Sequence, residues 1–147
     1  MVILFSLGMS LQAQVRLNEV QFSGSDKIEL INFGPVASDI SDWWLCSRFD
    51  YIQLNDPGLT LTGNLNIGPG ETLVIEGFSL QDQSADLGLY ESPSFGSSSA
   101  IEDFVQWGGA GIGRESVAVT AGIWTAGEFV SAVSSGSSIE YDGSGRS

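Results

Sequence analysis

Val15-Arg16-Leu17-Asn18-Glu19-Val20-Gln21-Phe22 alternates apolar and polar residues with a period of two, the pattern of a strand with one buried face. Ser23-Gly24-Ser25-Asp26 supplies turn residues, and Lys27-Ile28-Glu29-Leu30-Ile31-Asn32 resumes the alternation, so the two runs predict a hairpin that ends at Gly34-Pro35. Further along, Trp43-Trp44-Leu45-Cys46-Ser47 predicts a strand with Trp43 and Leu45 on one face and Trp44 and Cys46 on the other. One tryptophan then belongs to the core, and the other is either covered by a loop or exposed. Tyr51-Ile52-Gln53-Leu54 predicts another strand, closed by the turn signal Asn55-Asp56-Pro57-Gly58.

The second half continues in short pieces. Gly68-Pro69-Gly70 is a turn ahead of the β-rich run Glu71-Thr72-Leu73-Val74-Ile75-Glu76. Leu87-Gly88-Leu89-Tyr90 follows a polar loop, 92–99 is Ser/Gly-rich and expected to be mobile, and Asp103-Phe104-Val105-Gln106-Trp107 alternates again. Residues 114–121 predict a short helix with Ile123 and Trp124 behind it, and 137–141 a last strand. There is no internal repeat and no strand–helix–strand alternation. The expected fold class is all-β, an antiparallel sandwich in one domain with at most one short helix.

The extreme N-terminus breaks this pattern. Val2-Ile3-Leu4-Phe5, Leu7-Gly8-Met9 and Leu11-Gln12-Ala13 form an apolar run with a small-residue approach, the reading of a secretory signal peptide over 1–14, although the basic n-region is missing. The run is too short to span a bilayer permanently. Residues 15–147 are then the exported domain, and the expected setting is periplasmic, cell-surface or secreted.

Composition narrows the chemistry. With 42% hydrophobic residues and 19 glycines, the chain can bury a two-layer core and turn often. Five basic against eighteen acidic residues give a net charge of −13, with Arg16, Lys27, Arg48, Arg114 and Arg146 scattered, so nucleic-acid binding is disfavoured. There is no histidine, and Cys46 is alone, which removes disulfides and the Ser-His and Cys-His nucleophile pairs. The domain is therefore expected to be non-catalytic. A hydrolase would need two carboxylates converging in a cleft.

Two kinds of candidate site remain. Trp44, Phe49 and Tyr51 are candidate ligand-binding aromatics, forming an exposed platform for a partner or for sugar rings. Asp39, Asp42, Asp50 and Asp56 are candidate calcium ligands, with Asp82/Asp86 and Glu102/Asp103 as further acidic pairs, none with EF-hand spacing. The alternative for these carboxylates is turn formation or solvation; no other cofactor is expected. Gly108-Gly109-Ala110-Gly111-Ile112-Gly113 is Gly-rich but lacks the Lys-Ser/Thr of a phosphate loop and reads as a flexible turn. Cys46, beside tryptophans, reads as a small buried hydrophobe.

Taken in order, Leu17-Asn18-Glu19-Val20, Ile28-Glu29-Leu30-Ile31-Asn32, Asp39-Ile40-Ser41-Asp42-Trp43-Trp44-Leu45, Ile67-Gly68-Pro69-Gly70-Glu71, Leu87-Gly88-Leu89 and Asp103-Phe104-Val105-Gln106-Trp107-Gly108 resemble the lamin tail domain family. The resemblance covers most of 15–147 and implies an immunoglobulin-like sandwich. It also implies structural roles for Glu19, Trp43, Leu45, Gly68, Pro69, Gly70, Asp103 and Trp107. Asp39 and Ser41 would accept amides in the turn before Trp43, Gly68 and Gly70 would permit positive φ around Pro69, and Trp43 and Trp107 would pack between the sheets. Asp42 departs from the family, which usually has glycine there. The family also closes with a Trp and Pro-Gly segment absent before Arg146-Ser147, which implies a missing edge element or a longer parent protein. By this resemblance the function is that of a structural or protein-interaction module. A carbohydrate-binding module using aromatics, with calcium, is the alternative.

Overall fold

The computed structural model describes residues 14–142; the expected targeting segment lies, but for Gln14, outside the described residues. Two antiparallel sheets form the body. The first runs β11 (Ile139–Glu140), β1 (Val15–Gln21), β2 (Lys27–Asn32), β8 (Thr72–Glu76), β6 (Thr60–Thr62); the second runs β10 (Ile101–Trp107), β9 (Ala85–Tyr90), β4 (Trp44–Ser47), β5 (Asp50–Gln53). A two-stranded piece, β3 (Ser38–Asp39) with β7 (Asn66–Ile67), sits beside them, and one short helix, α1 (Glu115–Thr120), follows β10. In their order across the sheets, the strands β1-β2-β8-β6 and β10-β9-β4-β5 reproduce the immunoglobulin arrangement A-B-E-D against G-F-C-C′, so the expected all-β immunoglobulin-like sandwich is what forms.

Alternation explains the first sheet. Ile28 and Leu30 of β2, Leu73 and Ile75 of β8, and Leu17 and Val20 of β1 are buried inward, while Lys27, Glu29 and Glu76 stay at least partly in solvent. The second sheet meets them with Leu45, Leu87, Leu89 and Trp107. Each such side chain stabilises the fold by about 1.5–3 kcal/mol on full burial. Trp107 stacks on Phe22 with ring centroids 4.3 Å apart, and its Nε1 donates to the Gln81 carbonyl at 2.9 Å. Trp43 is only half-buried, packed at the margin of this core.

Polar pins fix the register. At a bulge between Leu17 and Glu19, the buried Asp103 carboxylate of β10 accepts the Leu17 amide at 2.6 Å and ties the two sheets together. Glu19 accepts the Ser138 hydroxyl and so anchors the approach to β11. Asn32, fully buried, gives Nδ2 to the Val36 and Ile67 carbonyls and accepts Gly34 N and Gln14 N at Oδ1, which uses its full hydrogen-bonding capacity. Gly68 to Glu71 closes as a turn in which Glu71 N reaches Gly68 O at 3.0 Å. Of the two glycines that permit positive φ here, Gly70 uses it, with φ +74°, and Gly68 does not, because a type II turn needs positive φ solely after its proline.

The second sheet differs from the first in being covered on both faces. Every residue of β9 is buried, because α1 and the loop 91–100 fold over its outer side. Cys46, Tyr90, Ile101, Phe104 and Ala118 form that outer core, with Trp44, Phe95, Ile123 and Trp124 packed against it. Gly88 leaves the room that the Tyr90 ring needs, since a Cβ there would stand 2.6 Å from Tyr90 Cε2. The expectation of a mobile 92–99 is corrected: its turns close through Ser97 N to Ser94 O and Glu91 N to Ala100 O, both at 2.9 Å, and Phe95 is stacked into the cluster.

Candidate functional site

Between β4 and β5 the hairpin turns on two residues, Arg48 and Phe49, with φ of 48° and 68°. Two-residue hairpins of this mirror-image kind normally use Asn-Gly, because glycine adopts positive φ without strain. Here neither position is glycine, and each carries about 1–2 kcal/mol of left-handed strain. The turn is held from below by Asp86 of β9, which is fully buried. Its Oδ1 accepts Arg48 N at 2.7 Å and its Oδ2 accepts Arg114 N at 2.9 Å, so one carboxylate joins the hairpin tip to the start of α1. Burial pushes the Asp86 carboxyl above its ordinary range, against the pull of the Arg114 and Arg48 amides. Gly113, with φ +51°, lies so close that a Cβ there would overlap this carboxylate.

Above Asp86 the side chains gather. The Arg114 guanidinium lies 4.9 Å from the Phe49 ring centroid and 5.9 Å from that of Tyr51, and its Nη2 donates to the Tyr51 hydroxyl at 2.6 Å. Tyr51 stacks on Phe95 at 4.0 Å, and Trp44 and Tyr90 meet Phe95 edge-on at 5.7 and 5.2 Å. The structure thus brings the sequence-derived aromatics Trp44, Phe49 and Tyr51 to one end of the second sheet, in unequal states. Trp44 is half-covered by the 91–100 loop, whereas Phe49 is 54% and Tyr51 38% exposed.

The groups beneath this surface are held in their neutral forms. Burial, then the nearby Asp86, pushes the Cys46 thiol up to about 11, and burial likewise raises the Tyr90 hydroxyl. A buried thiol with so little thiolate at neutral pH is a poor nucleophile. At the other end of the sheet burial, and then the neighbouring Glu102, raises the Glu91 carboxyl, while Glu102 pairs with Arg16 at 2.9 Å.

The glycine-rich stretch 108–113 is pinned rather than flexible. Glu115 accepts the amides of Gly111 and of Gly127 (2.7 Å) and the Gln106 side chain (2.9 Å), and these donors, Gly127 first, hold its carboxyl below the usual range. With Asp86 taking the Arg114 amide, the chain's own carboxylates occupy amides that a phosphate would need.

The acidic candidates stay dispersed, and among the described residues no three of His, Cys, Asp or Glu gather as a metal site. Asp39 in β3 accepts the Ser41 amide at 3.0 Å, which lowers its pKa; Asp42 meets the Gln53 amide group at 3.4 Å; Asp56 accepts Gly58 N at 2.8 Å. Asp50 opens β5, exposed. Asp39 and Asp56 are thus turn-forming carboxylates. Arg48, Phe95 and Arg114 were not marked as a site by the sequence, and Asp86 was named there only in an acidic pair with Asp82, whereas the structure turns it to the Arg48 and Arg114 amides; a lone aromatic within a Ser/Gly run was the one visible signal for Phe95.

No family model matches the chain, and no curated protein does. Among solved structures it is similar to the archaellum periplasmic stator protein complex FlaF and FlaG from Sulfolobus acidocaldarius, at 12% identity and a TM-score of 0.41, over 72% of this chain and 98% of that one. A likeness at that level carries no functional weight. No helix among the described residues is long and apolar enough to cross a membrane.

Proposed function

We propose that this chain is a non-catalytic protein-interaction module of an exported protein, of the lamin tail type, and that it meets its partner with the β4–β5 hairpin tip. One observation carries the reading. Phe49 and Tyr51 stand exposed beside Arg114 on a turn whose two residues both hold left-handed strain. Strain of this kind concentrates where a surface has to be presented in a fixed way. The family resemblance is supported by where its segments fall, on β1, β2, β4, the turn before β8, β9 and β10 of an immunoglobulin order. Export is supported by the apolar run at 2–13 and the −13 charge.

The geometry supports a protein partner better than a sugar. A sugar-binding platform needs an open ring face, and Phe95 covers one face of Tyr51 while Arg114 engages its hydroxyl end. Trp44 is turned edge-on into the same cluster.

The test is site-specific photo-cross-linking in the cells that make the protein. Benzoylphenylalanine replaces Phe49 in one variant and Val74, on the outer face of the first sheet, in another. Position 49 is expected to give a discrete protein adduct and position 74 none. Equal adducts from both positions, no adduct from 49, or strong selective binding on a glycan array would refute the reading.

A further inference from the structure

Gln14 is the first described residue and is already part of the fold. Its N–H donates to Asn32 Oδ1 at 3.2 Å and its C=O accepts Phe33 N at 2.9 Å, so it extends β1 by one residue along the end of β2. Both bonds use backbone atoms only. The targeting segment read over 1–14 would take this residue away with it. A chain starting at Val15 would also set its charged α-ammonium on a residue that is 1% exposed. A cut one bond earlier, between Ala13 and Gln14, keeps both bonds. Ala13 supplies the small side chain needed just before that bond, with Leu11 where the common pattern has a second small residue. Gly8-Met9-Ser10 is the competing small-residue pair, and a cut after it starts the chain at Leu11.

Glutamine at a free N-terminus carries its own electrophile. The α-nitrogen can reach the side-chain Cδ of the same residue and close a lactam ring. Gln14 is exposed, and among the described residues its side-chain amide has no hydrogen-bond partner. An α-amino group titrates at about 7.7–8.0, so near pH 7 about a tenth of it is neutral and nucleophilic. The bond to Asn32 holds the nitrogen only loosely. At 3.2 Å it is the longest of the four that the Asn32 side chain makes, the others being 2.7, 2.9 and 2.9 Å.

We propose that Gln14 is a modification site: export removes 1–13, and the glutamine so exposed cyclises to pyroglutamate. The step balances without a co-reactant. The α-nitrogen lone pair forms the N–Cδ bond, the Cδ–Nε2 bond breaks, and a proton of the α-amine leaves with Nε2 as ammonia. The Gln14 carbonyl that Phe33 N uses is untouched. The nitrogen keeps one N–H and can no longer be charged, beside the buried Val15 and Asn32. A lactam end offers no α-amine to an aminopeptidase, so the residue that ties the start of β1 to Phe33 is not trimmed away. The inference rests on the export part of the reading above and not on the hairpin interface.

The test reads the first residue of the exported protein. The full chain is made in its own cells and the extracytoplasmic protein is collected. Free amines are tagged by reductive dimethylation, and the protein is then cut after glutamate and read by mass spectrometry. Tagging first excludes ring closure during digestion. The 14–19 peptide is expected to be untagged at its N-terminus and lighter than its glutamine form by one ammonia. In Gln14→Ala, which keeps both backbone bonds, the same peptide should carry the tag. An aminopeptidase should shorten that variant and leave the wild type whole. A tagged glutamine at 14, or an exported chain that starts at Leu11 or Val15, overturns the inference and leaves export standing. A chain that keeps 1–13 and stays inside the cell overturns both. Equal trimming of wild type and variant overturns the blocked end.

Discussion

Phe49 sits at φ 68° and Tyr51, two residues on, in an extended strand, so glycine and alanine should rank in opposite orders at the two positions. At 49, alanine would keep about 1–2 kcal/mol of left-handed strain that glycine relieves. Glycine has the wider freedom in the unfolded chain, which costs about 0.4–1 kcal/mol on folding. Both variants lose the ring and its contact with the Arg114 guanidinium, so those losses cancel in the comparison. The net expectation is that Phe49→Gly is more stable than Phe49→Ala by about 0.5–1 kcal/mol. With a urea m-value of about 1–3 kcal/mol/M, the midpoints should separate by a few tenths of a molar unit. The assay is urea unfolding followed by tryptophan fluorescence. At Tyr51 the order should reverse, with alanine ahead of glycine by about 0.5–1 kcal/mol. Alanine equal to or better than glycine at 49 would show that the turn does not hold positive φ in solution, and the strain argument for this surface would fail with it.

Gly113→Ala should destabilise by about 3–5 kcal/mol, the sum of left-handed strain and a displaced charged hydrogen bond, and a double-mutant cycle with Asp86→Ala should show coupling of about 1.5–3 kcal/mol; additive losses would contradict the contact. The Glu115 carboxyl is held below its unfolded value, so its contribution is present above that value and lost as pH falls through the folded one. The stability difference between wild type and Glu115→Gln, measured in urea, should therefore shrink on going from about pH 7 to about pH 3. Asp86, raised by burial, works the other way: it favours the fold below its unfolded pKa and loses that contribution as pH rises through the folded one. Trp107→Ala should cost about 3–5 kcal/mol in chemical unfolding. Trp107→Phe, which keeps a ring against Phe22 but strands the Gln81 carbonyl, should cost about 1–3 kcal/mol. Iodoacetamide should label Cys46 only as the domain unfolds, since the thiol is buried and raised to about 11, so mass spectrometry across a urea series should follow the unfolding curve.

What was legible in the sequence follows a physical divide. The strand Lys27–Asn32 was readable because one of its faces is wet, and a half-wet strand writes its alternation into the chain. The β9 strand was harder, since all its residues are buried and Asp86 looks like a solvated or calcium-binding acid. Of the candidate site, the aromatics Trp44, Phe49 and Tyr51 were legible together as a platform, but the residues that hold them in place were not. What gathers them is Phe95, arriving from a stretch whose composition signals a free loop, and Arg114, arriving from a distant helix start. The Arg48-Phe49 turn was invisible for a simpler reason. Neither residue is a turn former, and the turn exists because Asp86 and the flanking strands impose it.

Two unfavourable features therefore coincide at one place, a strained non-glycine turn and a carboxylate whose burial raises its pKa. A fold under no other demand would remove both, with Asn-Gly at the tip and an apolar residue at 86. The outer core offsets them: the rings of Tyr90, Phe95, Phe104 and Trp124 close the far face of the second sheet and make the hairpin rigid from behind. That covering also decides what is left open. With both faces of the sheet dry and β10 bridged by Val130, the hairpin tip and the β5 edge are where this sheet can still pair. The choice of arginine and phenylalanine at the tip is then set by what they present rather than by the turn they make. The combined variant Arg48→Asn/Phe49→Gly should accordingly stay within about 1 kcal/mol of wild type in stability, since relieved strain and lost contacts are of similar size, while losing the partner. A variant that lost stability and kept its partner would reverse that order of cause.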